Sequence, residues 1–303
     1  MNKRSLTLTG AAIVAVAATA GAFAFLHEPT LDAPAVDAIA VLDANGKRIG
    51  DYRIPADNTI AAEPNADAIR LGQRLLNETA RLLPANVGNG LNCNSCHMAQ
   101  GKLSDANPYI NTTNSYPSFN PRANREVDLT MRINGCFQRS MNGKPLGTDS
   151  TEMHAMLAYM DWLRQGVAKG DKTAVRNAGP IDESLVPDPE RGRTIYAAQC
   201  ASCHGANGQG MKDQAGDYIF PPLWGDESFN IGAGLARTYK AAQFVKYAMP
   251  PAMHLEAPLG AGGVLSDQDA VDVAEFFTHM PRPDFAGKVN DWKGVKKPKD
   301  ARY

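Results

Sequence analysis

At 303 residues and 44% hydrophobic composition, the chain has enough material for two domains with their own cores. Its 31 Lys and Arg stand against 32 Asp and Glu, and a net charge of −1 excludes the global basic signature of a nucleic-acid binder. Any anion site must come from local clustering. The first element in the chain is an export segment: Lys3 and Arg4 precede an uncharged, mostly apolar run from Leu6 to Leu26. Ala22-Phe23-Ala24 fits a small-residue cleavage site, so residues 1–26 are expected to be a signal peptide or, if left uncut, a membrane anchor with its positive end inside. Either way the remaining chain is expected on the periplasmic side.

Asn45-Gly46 predicts a short hairpin near residues 40 to 54. Gly72, Leu75 and Leu76 then fall on a predicted helix, followed by a loop from Pro84 to Asn92 and the run Cys93-Asn94-Ser95-Cys96-His97. The same C-x-x-C-H pattern returns as Cys200-Ala201-Ser202-Cys203-His204, after a predicted helix carrying Gly192 to Tyr196. Two thiols three positions apart reach the two vinyl groups of one porphyrin, and the histidine that follows presents its imidazole to the iron. A redox disulfide would sit in a thioredoxin-like βαβ context, and a zinc site would need further Cys or His pairs. Neither is present. Cys93, Cys96, Cys200 and Cys203 are therefore read as attachment points for two covalent haems c, with His97 and His204 as proximal ligands.

Between the motifs stands Cys136, the fifth cysteine, in Arg132-Ile133-Asn134-Gly135-Cys136-Phe137-Gln138-Arg139-Ser140-Met141. A lone exported cysteine has three readings: a buried inert thiol, an intermolecular disulfide, or a thiolate on the first iron. Met131 and Met141 are rival ligands. Arg122, Arg125, Arg132 and Arg139 cluster here, and on a helix Arg132, Cys136 and Ser140 share one face at i, i+4 and i+8. Guanidinium, thiol and hydroxyl on one face suit a small oxyanion, because guanidinium offers two parallel donors. Pairing with haem propionates or simple solvation is the alternative.

An amphipathic helix is predicted over Asp149 to Gly166, with Asp149 and Glu152 as a capping pair. Val167 to Pro189 reads as a linker rich in charge, Gly and Pro. In the second half Met249, in Tyr247-Ala248-Met249-Pro250, is the candidate sixth ligand for its haem, with Met253, His254 and Lys246 as rivals. A closing helix is predicted over Leu265 to Met280, with Ser266 as N-cap. The Lys-rich stretch after Pro283 reads as a solvated tail or as a docking strip for an acidic redox partner. The fold class is all-α: two loop-rich c-type cytochrome domains over 27–166 and 190–283, joined by the linker 167–189 and followed by the basic tail 284–303.

With these residues placed, the chain resembles the di-haem thiosulfate dehydrogenases, which also act as tetrathionate reductases. The likeness is specific in Gly88-Asn89-Gly90-Leu91-Asn92-Cys93 through His97, and in Gly135-Cys136-Phe137 with Ser140-Met141-Asn142-Gly143. It runs on through the second haem motif and Met249-Pro250. The resemblance implies an oxidoreductase that couples two thiosulfates into tetrathionate and passes two electrons to an external acceptor such as a small cytochrome c or an iron–sulfur protein. It implies His97 and Cys136 on the first haem, and catalytic roles for Arg132, Ser140 and Arg122. In the family's route the cysteine sulfur leaves the iron, takes up one thiosulfate and is released by the second. Where some members carry a lysine beside the second haem's methionine this chain has Ala248, so His204 and Met249 are expected in both redox states. Two other readings stand against this one. A plain di-haem electron carrier would want methionine on both haems, and a di-haem peroxidase would want acid–base residues beside an open iron.

Overall fold

The structure, a computed structural model, describes residues 38–251 and 262–303; the expected export segment and the rival ligands Met253 and His254 lie outside them. Nine α-helices and seven short strands occur among the described residues. In the first half, α1 (Ala66–Asn77) buries Ile69, Gly72, Leu75 and Leu76, a helical spacing that makes one apolar face. Short turns α2 (Thr79–Leu82) and α3 (Met98–Gly101) flank the first haem motif, and α4 (Leu129–Arg139) and α5 (Thr151–Trp162) follow. In the second half, α6 (Pro189–Gln199) leads into α7 (Ala201–His204), then α8 (Thr238–Ala248) and α9 (Asp267–Thr278).

Each half is held by its first long helix crossing its last, α1 on α5 and α6 on α9. The crossing is made by one glycine in each case. A Cβ on Gly72 would overlap the Ala155 carbonyl, and a Cβ on Gly192 would overlap the Asp272 carbonyl, so only glycine lets the two backbones approach this closely. Around the first crossing Met153, Met156, Tyr159 and Leu163 are fully buried; around the second, Val271, Val273 and Ala274 are. Full burial of such side chains contributes about 1.5–3 kcal/mol each, so these two clusters are the cores.

Helix starts follow side-chain oxygens. Ser266 caps α9, accepting from the Asp269 N–H at 3.1 Å while the Asp269 carboxylate accepts from the Ser266 N–H at 3.3 Å. The start of α5 lies one residue later than the Asp149/Glu152 pair implies: Ser150 is the cap, its hydroxyl accepting from the Met153 N–H at 3.1 Å. Serine's short side chain reaches that N–H, and Glu152 falls in the first turn, where its charge favours the helix dipole.

The predicted hairpin is present as β1 (Ile39–Leu42) and β2 (Arg48–Tyr52), turning at Gly46 with φ +81°. A third strand, β5 (Lys172–Thr173), comes from the segment expected as a linker and pairs antiparallel with β1. The other strands form two hairpins, β3 (Ser118–Asn120) with β4 (Arg125–Val127) and β6 (Met211–Lys212) with β7 (Tyr218–Phe220). The C-terminal stretch is fastened rather than free. Trp292 is buried, its N–H donates to the Arg122 carbonyl at 2.8 Å, and Asp300 accepts from Arg237 Nε at 2.9 Å and the Tyr239 N–H at 3.1 Å. Its aromatic residues and acids make these attachments; Lys293, Lys296, Lys297 and Lys299 are exposed, and Lys299 adds a contact by donating to the Glu183 carbonyl and lying 4.2 Å from the Tyr239 ring centroid.

Candidate haem and thiosulfate sites

Two adjoining cavities lie at the two haem motifs. The larger, about 630 Å³, is lined by Cys200, Cys203, His204 and Met249 together with Tyr196, Phe220, Phe244 and Phe277. Cys200 caps the end of α6 and starts α7, so both thiols and His204 sit on one tight turn. His204 Nδ1 lies 2.8 Å from the Pro221 carbonyl, an arrangement in which Nδ1 carries the proton and Nε2 is the free donor atom. Burial lowers the His204 pKa, which favours the neutral ring that a metal requires. Apolar walls, paired thiols, an oriented imidazole and a thioether fit a haem c. Met249 ends α8, while its rival Lys246 is turned to an ion pair with Asp267 and lies over the Tyr247 ring.

The smaller cavity, about 40 Å³, is bounded by Cys93, Cys96, His97, Cys136, Ser140 and Met141. It shares Leu91, Asn92, Cys96, Phe229 and Leu235 with the larger one, so the two sites abut. His97 Nδ1 lies 2.5 Å from the Asn107 carbonyl, and its ring stacks on Tyr109 at 4.5 Å. This leaves the other nitrogen on the Cys136 side. Two half-buried thiols, an oriented imidazole and a sulfur facing it are a donor set that fits a haem c with nitrogen and sulfur axial ligands.

Cys136 is placed by α4. Asp128 caps this helix, accepting from the Met131 N–H at 2.7 Å, and Leu129, Ile133 and Phe137 fix its inner face. One turn apart on the adjoining face, Arg132 Nη1 lies 2.8 Å from the Cys136 sulfur. Burial pushes the Cys136 thiol up, but the Arg132 guanidinium and the nearby His97 outweigh it, and the pKa falls to about 6. That is an anionic sulfur at neutral pH, unlike the Cys93 and Cys96 thiols, which desolvation raises to about 12. Of the rival methionines, Met131 is 43% exposed beside Arg125, whereas Met141 does line the small cavity.

The predicted arginine cluster divides. Arg132 is at the sulfur. Arg122 and Arg139 instead converge on Asp291: Arg139 binds its carboxylate through two donors at 2.7 and 2.8 Å, and Arg122 Nε lies 3.8 Å from it. Both guanidinium groups also donate to the Gly232 carbonyl, next to Ala233 in the wall of the small cavity. Two asparagines lock this region to the second half. Asn89 Nδ2 donates to the Ser140 carbonyl at 3.0 Å and the Ser228 carbonyl at 3.1 Å. Asn230 Nδ2 donates to the Gln138 carbonyl at 2.8 Å and to Asn142 Oδ1 at 3.1 Å.

Residues 85–168 match the family described as SoxA/TsdA, cytochrome c domain, and residues 189–281 match cytochrome c. Over 250 residues the chain is 44% identical to a thiosulfate dehydrogenase of Psychrobacter arcticus, covering 82% of this chain and 74% of that one. The chain belongs to the thiosulfate dehydrogenase family. A relative of the same name from Allochromatium vinosum is 40% identical over 78% of this chain and 87% of its own. A solved structure of the thiosulfate dehydrogenase TsdBA from Marichromatium purpuratum, in its as-isolated form, matches with a TM-score of 0.68 at 32% identity. That match covers 77% of this chain and 50% of the other, so this chain spans half the length of that protein. Membership and the two matched domains establish an all-α di-cytochrome with two covalent haems c.

The sequence reading missed the groups that orient the two histidines. Pro221 and Asn107 act through backbone carbonyls, which no residue type announces. Tyr109 had one legible trace: Gly101, at φ +73°, has no room for a Cβ beside the tyrosine ring.

Proposed function

We propose that the protein oxidises thiosulfate, joining two molecules into tetrathionate and delivering two electrons to an external acceptor such as a small cytochrome c or an iron–sulfur protein. The observation that carries this reading is the 2.8 Å contact of Arg132 with the Cys136 sulfur, at a half-buried cysteine facing His97 with the arginine open to solvent. Two thiosulfate dianions repel each other, and a guanidinium beside the reacting sulfur offsets that repulsion. Each haem c supplies a one-electron acceptor, and two of them match a two-electron oxidation.

Cys136 thiolate and the terminal sulfur of the first thiosulfate form an S–S bond, and two electrons leave. The adduct keeps one negative charge, which Arg132 and the Ser140 hydroxyl at the end of the same helix are placed to hold. A second thiosulfate attacks the outer sulfur of that bond, tetrathionate departs, and Cys136 leaves again as thiolate. Its lowered pKa makes it a good leaving group in this exchange. Arg122 serves one step back, holding the wall at Gly232 together with Arg139. The covalent haems and the apolar run before Leu26 support a periplasmic location, with or without an anchor.

The test is thiosulfate-dependent reduction of ferricyanide, and tetrathionate reduction in reverse, by wild type and Cys136→Gly. Both rates should vanish in the variant. An unchanged rate would return the chain to a simple electron carrier.

A further inference from the structure

No Asp, Glu, Lys or Arg lines the large cavity among the described residues, so the electrostatic field at the second haem is set from behind its wall. One group there stands out. Arg282 lies between Pro281 and Pro283, whose carbonyls accept from the Gly225 N–H at 2.7 Å and the Ile231 N–H at 2.9 Å. The backbone is thus pinned on both sides, and the side chain points inward. Its guanidinium donates to the carbonyls of Phe277 at 2.7 Å, Leu223 at 3.1 Å and Phe229 at 3.3 Å. All three residues line the large cavity, and the Arg282 guanidinium lies 4.4 Å from the Phe229 ring centroid. Phe229 also lines the small cavity, so the charge sits where the two haem sites meet.

Three neutral carbonyls satisfy this cation in part, and its Nε is buried without a partner. Among the described residues no carboxylate lies within ion-pair distance of it. Beside it is a second guanidinium, Arg302, with a buried Nη1 that also lacks a partner. A buried positive charge without a counter-ion is costly to keep. Fixing the loop at Leu223 to Phe229 would need only neutral donors, so the charge itself calls for a role.

We propose that Arg282, with Arg302 beside it, is a fixed positive charge that raises the potential of the second haem and draws electrons to it from the first. An uncompensated cation in a low-dielectric wall stabilises the electron-rich form of a nearby redox centre. This rests on the reading of the second haem as the electron exit, but it concerns potentials, which are measurable without thiosulfate. Arg282 acts as a positioning charge and does not touch substrate.

The experiment is a mediated optical redox titration of the holoprotein, wild type against Arg282→Gln, Arg282→Lys and Arg302→Gln, with thermal unfolding in parallel. Arg282→Gln should lower the midpoint potential of the second haem more than that of the first. Arg282→Lys, which keeps the charge and loses the fork of donors, should restore most of the drop even where it melts earlier. Arg302→Gln should give a smaller fall in the same direction. Equal falls in the Gln and Lys variants, following stability rather than charge, would overturn the proposal. So would a second-haem potential unmoved in Arg302→Gln and in whichever Arg282 variant assembles. Loss of thiosulfate turnover alone would leave these potentials readable and would count against the proposed reaction instead.

Discussion

The first and second halves cross their helices at the same place and diverge in the sulfur residue that shares a cavity with each motif histidine. Gly72 lies against Ala155 in one and Gly192 against Asp272 in the other, and in both the histidine is oriented by a backbone carbonyl. Met249, at the end of α8, shares with His204 a cavity whose walls carry no Asp, Glu, Lys or Arg among the described residues. Opposite His97 stands Cys136, in the middle of α4, with an arginine one turn away. The crossing helices and the haem motif build the site; the second sulfur residue in each cavity comes from a separate element. That element can therefore change from an apolar loop end to a charged helix face while the scaffold stays as it is. In the proposed reaction, the second half stores electrons and the first forms the bond.

The comparison breaks most sharply at its sulfur. On the proposed ligation, Cys136→Met would give the first site the ligand set of the second. Thiosulfate oxidation should fall by about 10³-fold or more, while the optical spectrum of the first haem should come to resemble that of the second. Surviving turnover would show that the two sulfurs are equivalent and that the division between the halves is misplaced. The next effect belongs to the charge. Arg132→Gln removes the guanidinium at the sulfur, and loss of such a preorganised donor costs on the order of 10²–10³ in rate. Steady-state kinetics should show the fall in kcat/KM, with Arg132→Lys between the two because it keeps charge but not the fork.

The shared scaffold gives a third, smaller effect. Gly72→Ala and Gly192→Ala each gain up to about 1 kcal/mol of helix propensity. Against that, each pushes a Cβ into a carbonyl of the facing helix, and overpacking of this kind costs about 1–3 kcal/mol, more where backbone must move. Both variants should melt earlier, and by similar amounts. A neutral Gly72→Ala would mean that the first crossing is looser than the second.

What was legible in the sequence was what lies within one turn or one motif. The C-x-x-C-H runs, the i, i+4 pair Arg132 and Cys136, and the matching offsets of Gly72 and Gly192 are all local patterns fixed by helix geometry. What was not legible joins residues far apart in the chain. Arg139 and Asp291, Asn89 and Ser228, and Asn230 and Gln138 meet only because the halves fold against each other. No spacing rule links such residues. At the C-terminus the lysines speak for a surface stretch, and its anchors, Trp292, Asp291 and Asp300, meet partners far away in the chain that composition does not name.

The smallest effect tests whether the second half keeps to methionine. Lys246 lies one turn before Met249 and is close enough in sequence to compete for the haem, yet it is ion-paired with Asp267. The pair raises the lysine pKa and lowers that of the aspartate, the shifts expected of a stable contact. Both groups are partly exposed, and pairs of this kind contribute only about 0.2–1 kcal/mol. Lys246→Ala should therefore cost little stability and leave the spectrum of the second haem unchanged in both redox states. A spectral change on reduction that is present in wild type and absent in Lys246→Ala would show the lysine reaching the haem. The contrast between the halves would then lie in how fixed each sixth ligand is, rather than in which sulfur supplies it.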